Sequence, residues 1–211
     1  MYSNNKILKK TIYLIRHGET ELNRLHIVQG SGVDSSLNDK GRGQGRAFYN
    51  CYKDIDFQLI MTSALKRTAE TVADFINDDI LWEKYPELNE MGWGVHEGKS
   101  GQPWMKVEYE RVNSAWSSGN FSARMEEGES AAELAERLSR FIEILKKRPE
   151  ERILICSHGR SISALMCLLK GWSLTEMRQF KTHNTALYIA HFDGEKFEFE
   201  VESDRTHLEN P

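Results

Sequence analysis

The feature that most constrains the fold lies at residues 11–20, where an apolar run rich in β-branched residues stops at an Arg-His-Gly turn. Ile12, Leu14 and Ile15 are typical of a strand that is covered on both faces. Gly18 lets the backbone bend or approach a ligand closely. Ligands of open α/β sheets bind at the carboxyl ends of such strands. The stretch therefore predicts an anion site with a reactive imidazole at a sheet edge.

The order of strand, His-Gly and helix occurs a second time near the end of the chain. An apolar run at residues 152–156 is followed by Ser-His-Gly-Arg at 157–160 and by a predicted helix over 161–170. His17 and His158 thus both follow a buried strand. Either histidine alone is as compatible with a structural role as with a catalytic one, but two such junctions in one sheet indicate a shared site.

Arg67 follows a third predicted strand, the short apolar run at residues 57–61. It falls in the first turn of a helix predicted over 65–76, where a cation opposes the helix dipole. A bound anion explains a cation at this position. The alternative is a solvated surface arginine.

The rest of the chain continues the alternation of helices and strands. The other predicted elements are helices over 39–53, 102–116 and 130–148, and strands over 80–82, 185–192 and 196–201. The helix over 39–53 is predicted despite three glycines, and the one at Ser130 begins with a capping box. Asp193-Gly194 predicts a tight turn between the last two strands, which form an antiparallel pair.

Composition limits the classes of protein to which this chain can belong. The 211 residues are 39% hydrophobic and 28% charged and contain no linker, which predicts one domain over 1–211. A formal net charge of −4 argues against a nucleic-acid partner. Three scattered cysteines fit neither a disulfide framework nor a metal site. Without a signal segment or membrane span, we expect a cytoplasmic protein, with the oligomeric state left open.

Six groups of residues, each weak alone, form a specific set in order along the chain. They are Leu-Ile-Arg-His-Gly-Glu-Thr at 14–20, Asn23, Gln29-Gly30, Ser-Ala-Leu-Lys-Arg-Thr-Ala-Glu-Thr at 63–71, Leu-Asn-Glu at 88–90 with Glu97-Gly98, and Ser-His-Gly at 157–159. Together they resemble the histidine phosphatase superfamily, also called phosphoglycerate mutase-like. The resemblance implies an α/β fold: a three-layer α/β/α sandwich with a mostly parallel central sheet and an antiparallel edge.

The resemblance also implies a role for each residue of the site. His17 is the nucleophile that becomes phosphorylated, Arg16, Arg67 and His158 form the phosphate pocket, and Glu90 donates a proton to the leaving oxygen. A neutral imidazole, oriented by a partner on its other nitrogen, can attack near neutral pH. Fixed guanidinium groups and a cationic His158 can stabilise the moving phosphoryl group, so the scheme requires no metal or other cofactor.

The resemblance also implies that three further residues bind the substrate. Asn23 is expected to donate a hydrogen bond to the phosphate, and Gln29 is expected to do the same. Gly159, in the second His-Gly pair, is also expected to bind the substrate. Residues 30–36 lack the Gly-Trp-x-Asp and the Pro that are frequent in the family, so the loop over the pocket is expected to differ in shape. Arg160 is either an added phosphate or carboxylate contact or an outward surface arginine.

The favoured function is a cofactor-independent phosphatase that hydrolyses small phosphomonoesters through a phosphohistidine. The alternative is a 2,3-bisphosphoglycerate-dependent phosphoglycerate mutase. Mutases of the family usually carry a longer insertion between the acid and the second histidine, with neighbouring arginines. Here Glu90 and His158 are 68 positions apart, and Arg111 and Arg124 are not adjacent, which favours hydrolysis.

A third hypothesis is a non-catalytic protein that binds phosphorylated ligands. It is less favoured because binding alone requires no proton donor. The loops at residues 21–38 and 99–128 set the substrate, and their shape cannot be read from the sequence. Sugar phosphates, phosphoglycerates, nucleotides and cobalamin-pathway nucleosides therefore all stay open.

Overall fold

The computed structural model describes residues 9–209, in which helices and strands alternate. The helices are α1 (Glu21–Arg24), α2 (Asp39–Tyr52), α3 (Lys66–Thr71), α4 (Ala73–Asn77), α5 (Pro103–Ser117), α6 (Ala131–Lys147) and α7 (Gly159–Lys170). The strands are β1 (Lys10–Arg16), β2 (Leu59–Thr62), β3 (Trp82–Lys84), β4 (Arg152–Ser157), β5 (Leu187–Phe192) and β6 (Phe197–Asp204). Short 3-10 helices lie at Pro86–Leu88, Gly94–His96, Leu174–Gln179 and Thr206–Leu208. Within residues 9–209, no helix has the length and apolarity to cross a membrane.

The strands form a mixed sheet in the order β3-β2-β4-β1-β5-β6. β3, β2, β4 and β1 are parallel, whereas β5 runs antiparallel to β1, and β6 antiparallel to β5. Arg16 at the end of β1 is in register with Ser157 at the end of β4. The two His-Gly junctions therefore leave the sheet side by side. The predicted parallel sheet with an antiparallel edge is confirmed.

Side chains of the central strands alternate between two apolar cores. Ile12 and Leu14 of β1 belong to the core under α6 and α7, while Ile15 belongs to the core under α2 and α4. All three are at most 2% exposed. Helices thus cover both faces of the sheet, as predicted for a three-layer sandwich, and the apolar run of β1 reflects burial on both sides.

Helix α2 tolerates its glycines because two of them allow close contact with other backbone segments. A Cβ atom at Gly41 would lie 2.0 Å from the carbonyl oxygen of Glu19, and one at Gly45 would lie 2.6 Å from that of Thr71. Gly43 has no neighbour within 4 Å of such an atom. The glycines at 41 and 45 therefore let α2 pack directly behind the loop that carries His17.

The single helix predicted over 65–76 is wrong, because α3 and α4 are separated at Val72, where φ is −109° and ψ is 20°. The hydroxyl of Thr71 donates to the carbonyl of Arg67, and it accepts a hydrogen bond of 2.9 Å from the backbone N–H of Gly18. A hydroxyl that bonds to the carbonyl four residues back commonly bends a helix. The break thus accompanies a contact that supports the loop after β1.

Three smaller differences are local. The strand predicted over 80–82 lies at Trp82–Lys84, and the loop predicted over 21–38 begins with the single turn α1. The final hairpin has four loop residues, because Phe192 pairs with Phe197. The carboxylate of Asp193 accepts hydrogen bonds from the backbone N–H groups two and three residues later, which closes the longer turn.

Candidate active site

The carboxyl edge of the sheet gathers the five residues to which catalytic roles were assigned. Arg16 ends β1, His17 follows it, Arg67 lies in the first turn of α3 after β2, and His158 caps α7 after β4. Glu90 lies in the loop after the 3-10 helix Pro86–Leu88 and accepts hydrogen bonds from the start of α7. The parallel order of β2, β4 and β1 is what brings these separate segments together.

His17 is held in the orientation that a nucleophile requires. Its Nδ1 donates to the carbonyl of Gly18 at 2.7 Å, so Nε2 is the nitrogen without a proton. Burial and the nearby guanidinium groups of Arg16 and Arg67 lower the pKa of His17 well below 6.5. The amide of Asn184 donates to the His17 carbonyl at 3.0 Å and holds the backbone. The ring is therefore a neutral imidazole whose free nitrogen suits attack on phosphorus.

His158 is neutral as well, so the expectation of a cationic His158 is wrong for this structure. Burial, followed by the charge of Arg67, lowers its pKa well below 6.5. Arg67 Nε donates to His158 Nδ1 at 3.2 Å, and His158 Nε2 then donates to the hydroxyl of Ser63 at 2.8 Å. A proton added to His158 would face a guanidinium in a site that excludes water.

Arg67 is fully buried, which rules out the solvated surface arginine considered as an alternative. Its Nη1 donates to the carbonyl of Val33 at 2.7 Å and its Nη2 to that of Gly30 at 3.3 Å. The neighbouring Lys66 N–H donates to the carboxylate of Asp34 at 2.7 Å. Arg67 and the start of α3 thus hold the unusual loop at residues 30–36 over the site.

Arg16 has a donor that no described residue uses. Its Nη1 donates to the carbonyl of Thr182 at 2.7 Å, whereas its Nε is buried without a hydrogen-bond partner in residues 9–209. A Cβ atom at Gly159 would lie 3.6 Å from this Nε. Buried polar groups rarely lack partners, and a cationic N–H group without one is suited to an anion.

Glu90 is 7% exposed and is held by backbone donors. Its Oε1 accepts hydrogen bonds from the N–H groups of Met91 at 2.8 Å and Ser161 at 3.1 Å, and its Oε2 accepts one from Arg160 N–H at 3.1 Å. The side chain of Arg137 donates to the Glu90 carbonyl at 3.2 Å. The start of α7 therefore fixes the carboxyl group, and Arg137 of α6 fixes the backbone that carries it.

A cavity of about 240 Å³ opens above His17. It is lined by Arg16, His17, Asn23, Val28, Gln29, Glu90, Trp93, His96 and Tyr109. Asn23 uses its amide oxygen to accept from Thr20 N–H at 3.2 Å and from Asn184 at 3.4 Å. Gln29 instead bonds through both amide atoms, to Thr20 and Ser35. Both predicted ligands line the cavity, and Gln29 also ties down the loop above it.

A second cavity of about 330 Å³ adjoins the first. It is lined by Arg16, Glu90, Trp93, Tyr109, Gly159, Arg160, Ser163, Met177, Arg178, Phe180 and Thr182, of which the first four also line the cavity above His17. Arg160 therefore faces a cavity beside the predicted acid. The outward surface position, which the sequence left open, is wrong.

Three residues that the sequence analysis left without a role support the site through hydrogen bonds. Thr71 accepts from the Gly18 N–H, Thr182 accepts from Arg16, and Asn184 donates to the His17 carbonyl. Each lies far from its partner along the chain, so no local pattern identifies it. In the described range, His, Cys, Asp and Glu form no group of three or more that could hold a metal ion.

Comparison with known proteins agrees with this fold. The model of the histidine phosphatase superfamily (branch 1) matches residues 12–205. A protein of Hydrogenobacter thermophilus named "Putative phosphoserine phosphatase 2" is 30% identical over 191 residues, which are 89% of this chain and 92% of the relative. A protein of Erwinia tasmaniensis named "Probable phosphoglycerate mutase GpmB" is 30% identical over 180 residues, covering 83% of this chain and 82% of the relative.

Solved structures extend the same comparison. The alpha-ribazole phosphatase of Shigella flexneri has a TM-score of 0.80 and 26% identity, with 92% of this chain and 96% of that one covered. The protein YhfR of Bacillus stearothermophilus has a TM-score of 0.82 and 27% identity, with coverages of 94% and 99%. On this evidence the chain belongs to the histidine phosphatase superfamily.

Proposed function

We propose that this protein is a phosphatase that hydrolyses small phosphomonoesters through a covalent phosphohistidine at His17. The observation that carries the proposal is the hydrogen bond from His17 Nδ1 to the Gly18 carbonyl, because it leaves an unprotonated Nε2 at a cavity that Arg16 also lines. Arg16 supplies a buried donor that no residue in the range 9–209 accepts, and Glu90 lines the same cavity. The arrangement combines a nucleophile, an anion site and a carboxyl group.

In the first step, His17 Nε2 attacks phosphorus and forms an N–P bond while the bond to the ester oxygen breaks. The carboxylic acid of Glu90 donates its proton to the leaving oxygen, so the product leaves as an alcohol. The guanidinium group of Arg16, which lines the cavity, stabilises the charge on the equatorial oxygens, and the charge of the buried Arg67 contributes from outside the cavity lining.

In the second step, water attacks the phosphohistidine. The Glu90 carboxylate takes a proton from that water, the N–P bond breaks, and inorganic phosphate leaves with neutral His17 restored. Dividing one displacement into two in this way lowers the barrier of each. His158, whose two nitrogens are bonded to Arg67 and Ser63, stays neutral and holds Arg67 in place.

The alternative of a phosphoglycerate mutase uses the same first step but returns the phosphoryl group to the substrate. The relative whose name is "Probable phosphoglycerate mutase GpmB" is the reason to test this alternative. The short segment between Glu90 and His158 favours hydrolysis, because it holds no pair of adjacent arginines for a substrate carboxylate. A protein that only binds phosphorylated ligands is less favoured, because binding does not require a proton donor such as Glu90.

A panel of phosphomonoesters tested for phosphate release, run beside a mutase assay primed with 2,3-bisphosphoglycerate, decides among these functions. We expect free phosphate to be the main product, and rapid quenching to trap acid-labile phosphate on the wild type. His17→Asn removes both signals, whereas the matched variant of the exposed His26, His26→Asn, keeps them. Efficient interconversion of phosphoglycerates with little free phosphate contradicts hydrolysis, and no turnover on any substrate favours the binding protein.

We also infer that the protein acts in the cytoplasm on small molecules and not on nucleic acid. The three cysteines are unpaired, with Cys156 and Cys167 buried, and burial raises the pKa of Cys167 to about 11. Unpaired, unreactive cysteines are usual in a reducing compartment. The net charge of −4 with a local cationic cavity supports a small anionic substrate.

A further inference from the structure

Arg160 is a half-buried cation that forms no ion pair in the described part of the chain. Its guanidinium carbon lies 5.7 Å from the ring centre of Trp93 and 5.6 Å from that of Trp116. Its Nη2 donates to the hydroxyl of Tyr109 at 2.9 Å and to the amide oxygen of Asn113 at 3.3 Å. Two indoles and two neutral acceptors hold the group in one place and leave its charge uncompensated.

The cavity that Arg160 lines is strongly cationic. Its wall contains the guanidinium groups of Arg16, Arg160 and Arg178 against the single carboxyl group of Glu90. Arg178 is exposed and, like Arg160, forms no ion pair with residues 9–209. Glu90 already accepts hydrogen bonds from three backbone N–H groups. The two outer arginines therefore have no counter-ion within the cavity.

The position of the cavity relative to the reacting groups indicates what it binds. It shares Arg16 and Glu90 with the cavity above His17 but does not include His17 itself. A phosphoryl group held by Arg16, with its leaving oxygen at Glu90 and His17 on the attacking side, directs the leaving alcohol into this second cavity. Arg160 then faces the alcohol and not the phosphoryl group.

We propose that Arg160, with Arg178, selects phosphomonoesters whose leaving alcohol carries its own anionic group, a carboxylate or a second phosphate. This inference rests on the proposed phosphatase function and names the substrate class of that site. A guanidinium held by aromatic contacts and hydrogen bonds offers paired N–H donors that match the oxygens of either anion. A hydrogen bond from a charged donor in a partly buried site favours the anionic substrate by about ten- to a hundredfold.

Two pairs of substrates test this selection, and the two members of each pair differ in one anionic group. 3-Phosphoglycerate and glycerol 3-phosphate differ by a carboxylate, and fructose 1,6-bisphosphate and fructose 6-phosphate differ by a phosphate. In at least one pair the wild type should favour the anionic member about tenfold or more in kcat/KM. Arg160→Met should lose most of this preference through KM. The neutral member should change by less than about threefold, because its transition state makes no contact with the lost charge.

Control variants separate loss of charge from loss of structure. Arg160→Lys keeps the charge and is expected to retain part of the preference. Arg140→Met removes an exposed arginine that pairs with Glu136 on α6, and it should leave both substrate pairs unchanged. Thermal melting of each variant checks that the fold is intact. Equal kcat/KM within both pairs in the wild type, or an equal loss for both members in Arg160→Met, overturns the proposal.

Calorimetry on the His17→Asn variant separates this proposal from the proposed phosphatase activity. 3-Phosphoglycerate should bind that variant about tenfold or more tightly than glycerol 3-phosphate, and the added change Arg160→Met should remove the difference. If the wild type releases no phosphate from any substrate but this difference in Kd appears, hydrolysis fails and anion selection stands. If hydrolysis is found without any such difference in kcat/KM or Kd, anion selection fails alone.

Discussion

His17 and His158 lie with their ring centres 5.1 Å apart, yet their nitrogens have different partners. The Nδ1 of His17 donates to the next carbonyl, which leaves Nε2 with its lone pair. Both nitrogens of His158 are occupied, one by Arg67 and the other by Ser63. Two His-Gly pairs that look equivalent in the sequence are thus suited to different tasks, attack for the first and support for the second.

Replacing Glu90 by Gln tests its predicted role as proton donor. General acid catalysis commonly contributes about 10²- to 10⁴-fold, and a departing alkoxide requires the proton more than p-nitrophenolate does. Glu90→Gln should therefore lose about that factor on glycerol 3-phosphate and much less on p-nitrophenyl phosphate. The rates of the wild type and of Glu90→Gln are measured with both substrates at one pH. Glu136→Gln, which changes an exposed glutamate, serves as control. Equal losses on the two substrates contradict the acid role.

The lowered pKa of His17 predicts activity on the acid side of neutrality. Burial and the charges of Arg16 and Arg67 disfavour the imidazolium, so Nε2 stays unprotonated below pH 6.5. We expect kcat/KM, corrected for ionisation of the substrate, to stay constant as the pH falls through 6.5. It should decline only at a lower pH, where His17 becomes protonated. Arg67→Gln removes one of these charges and should move the decline to higher pH. A decline centred on 6.5 in the wild type contradicts the prediction.

At the scale of elements, the break between α3 and α4 and the glycines of α2 serve the same loop. Thr71, at the end of α3, accepts a hydrogen bond from Gly18, and its carbonyl lies against Gly45 of α2. Thr71 thus holds the loop after β1 through its hydroxyl, while its carbonyl packs on α2, whose Gly41 lies against Glu19 of the same loop. Close backbone packing of this kind depends on glycine at the contact.

Alanine substitutions at two glycines of α2 are expected to have opposite effects. Gly43→Ala meets open space and should stabilise the protein by about 0.5–1 kcal/mol, because alanine favours the helix. Gly45→Ala places its Cβ 2.6 Å from the Thr71 carbonyl and should destabilise by about 1–3 kcal/mol. Urea unfolding of both variants measures the free energy of unfolding. A change of the same sign in both would show that α2 does not pack as described.

At the scale of the whole molecule, buried neutral histidines make stability depend on pH. The pKa values of His17, His158 and His207 are lowered, chiefly by burial. Above about pH 6.5 neither the folded nor the unfolded form binds these protons, so they have no effect. Below it the unfolded chain takes up protons that the folded chain does not, and stability falls until the lower pKa values of the folded state are reached.

We therefore expect the free energy of unfolding to decrease between pH 7.5 and pH 5.5, by up to about 1.4 kcal/mol per pH unit for each of these histidines. Urea titrations at a series of pH values measure the slope. His17→Asn should flatten it by removing one of the groups. A stability that stays constant over this range, or a slope that His17→Asn leaves unchanged, would mean that the histidines are not buried in the neutral form.

The architecture of the whole molecule was predictable to a large extent. The predicted helices over 39–53, 102–116, 130–148 and 161–170 agree with α2, α5, α6 and α7 within two residues at each end. The three-layer α/β fold and the family are confirmed, and the chain is an enzyme of the phosphomonoesterase type. The roles of single residues stay predictions, because they depend on chemistry that the experiments above address.

Local chemistry explains why these parts could be read from the sequence. A buried strand such as β1, a capping box at Ser130 and a glycine at the end of α7 act over a few residues, so their signals lie together in the chain. The order of strand, His-Gly and helix placed His17 and His158 at sheet ends. From the amino-acid sequence alone, the fold, the family and the list of candidate residues followed.

Tertiary structure decided the protonation, burial and hydrogen-bond partners of those residues. Arg67 and His158 are 91 positions apart, yet their contact at 3.2 Å makes His158 Nδ1 an acceptor, and burial together with the charge of Arg67 keeps the ring neutral. Arg160 is a second example, because its position against two indoles makes an arginine that the sequence left ambiguous part of the wall of a cavity that Glu90 also lines. Charge, protonation and burial depend on what surrounds a side chain in space, and the packed sheet and helices alone bring those surroundings together.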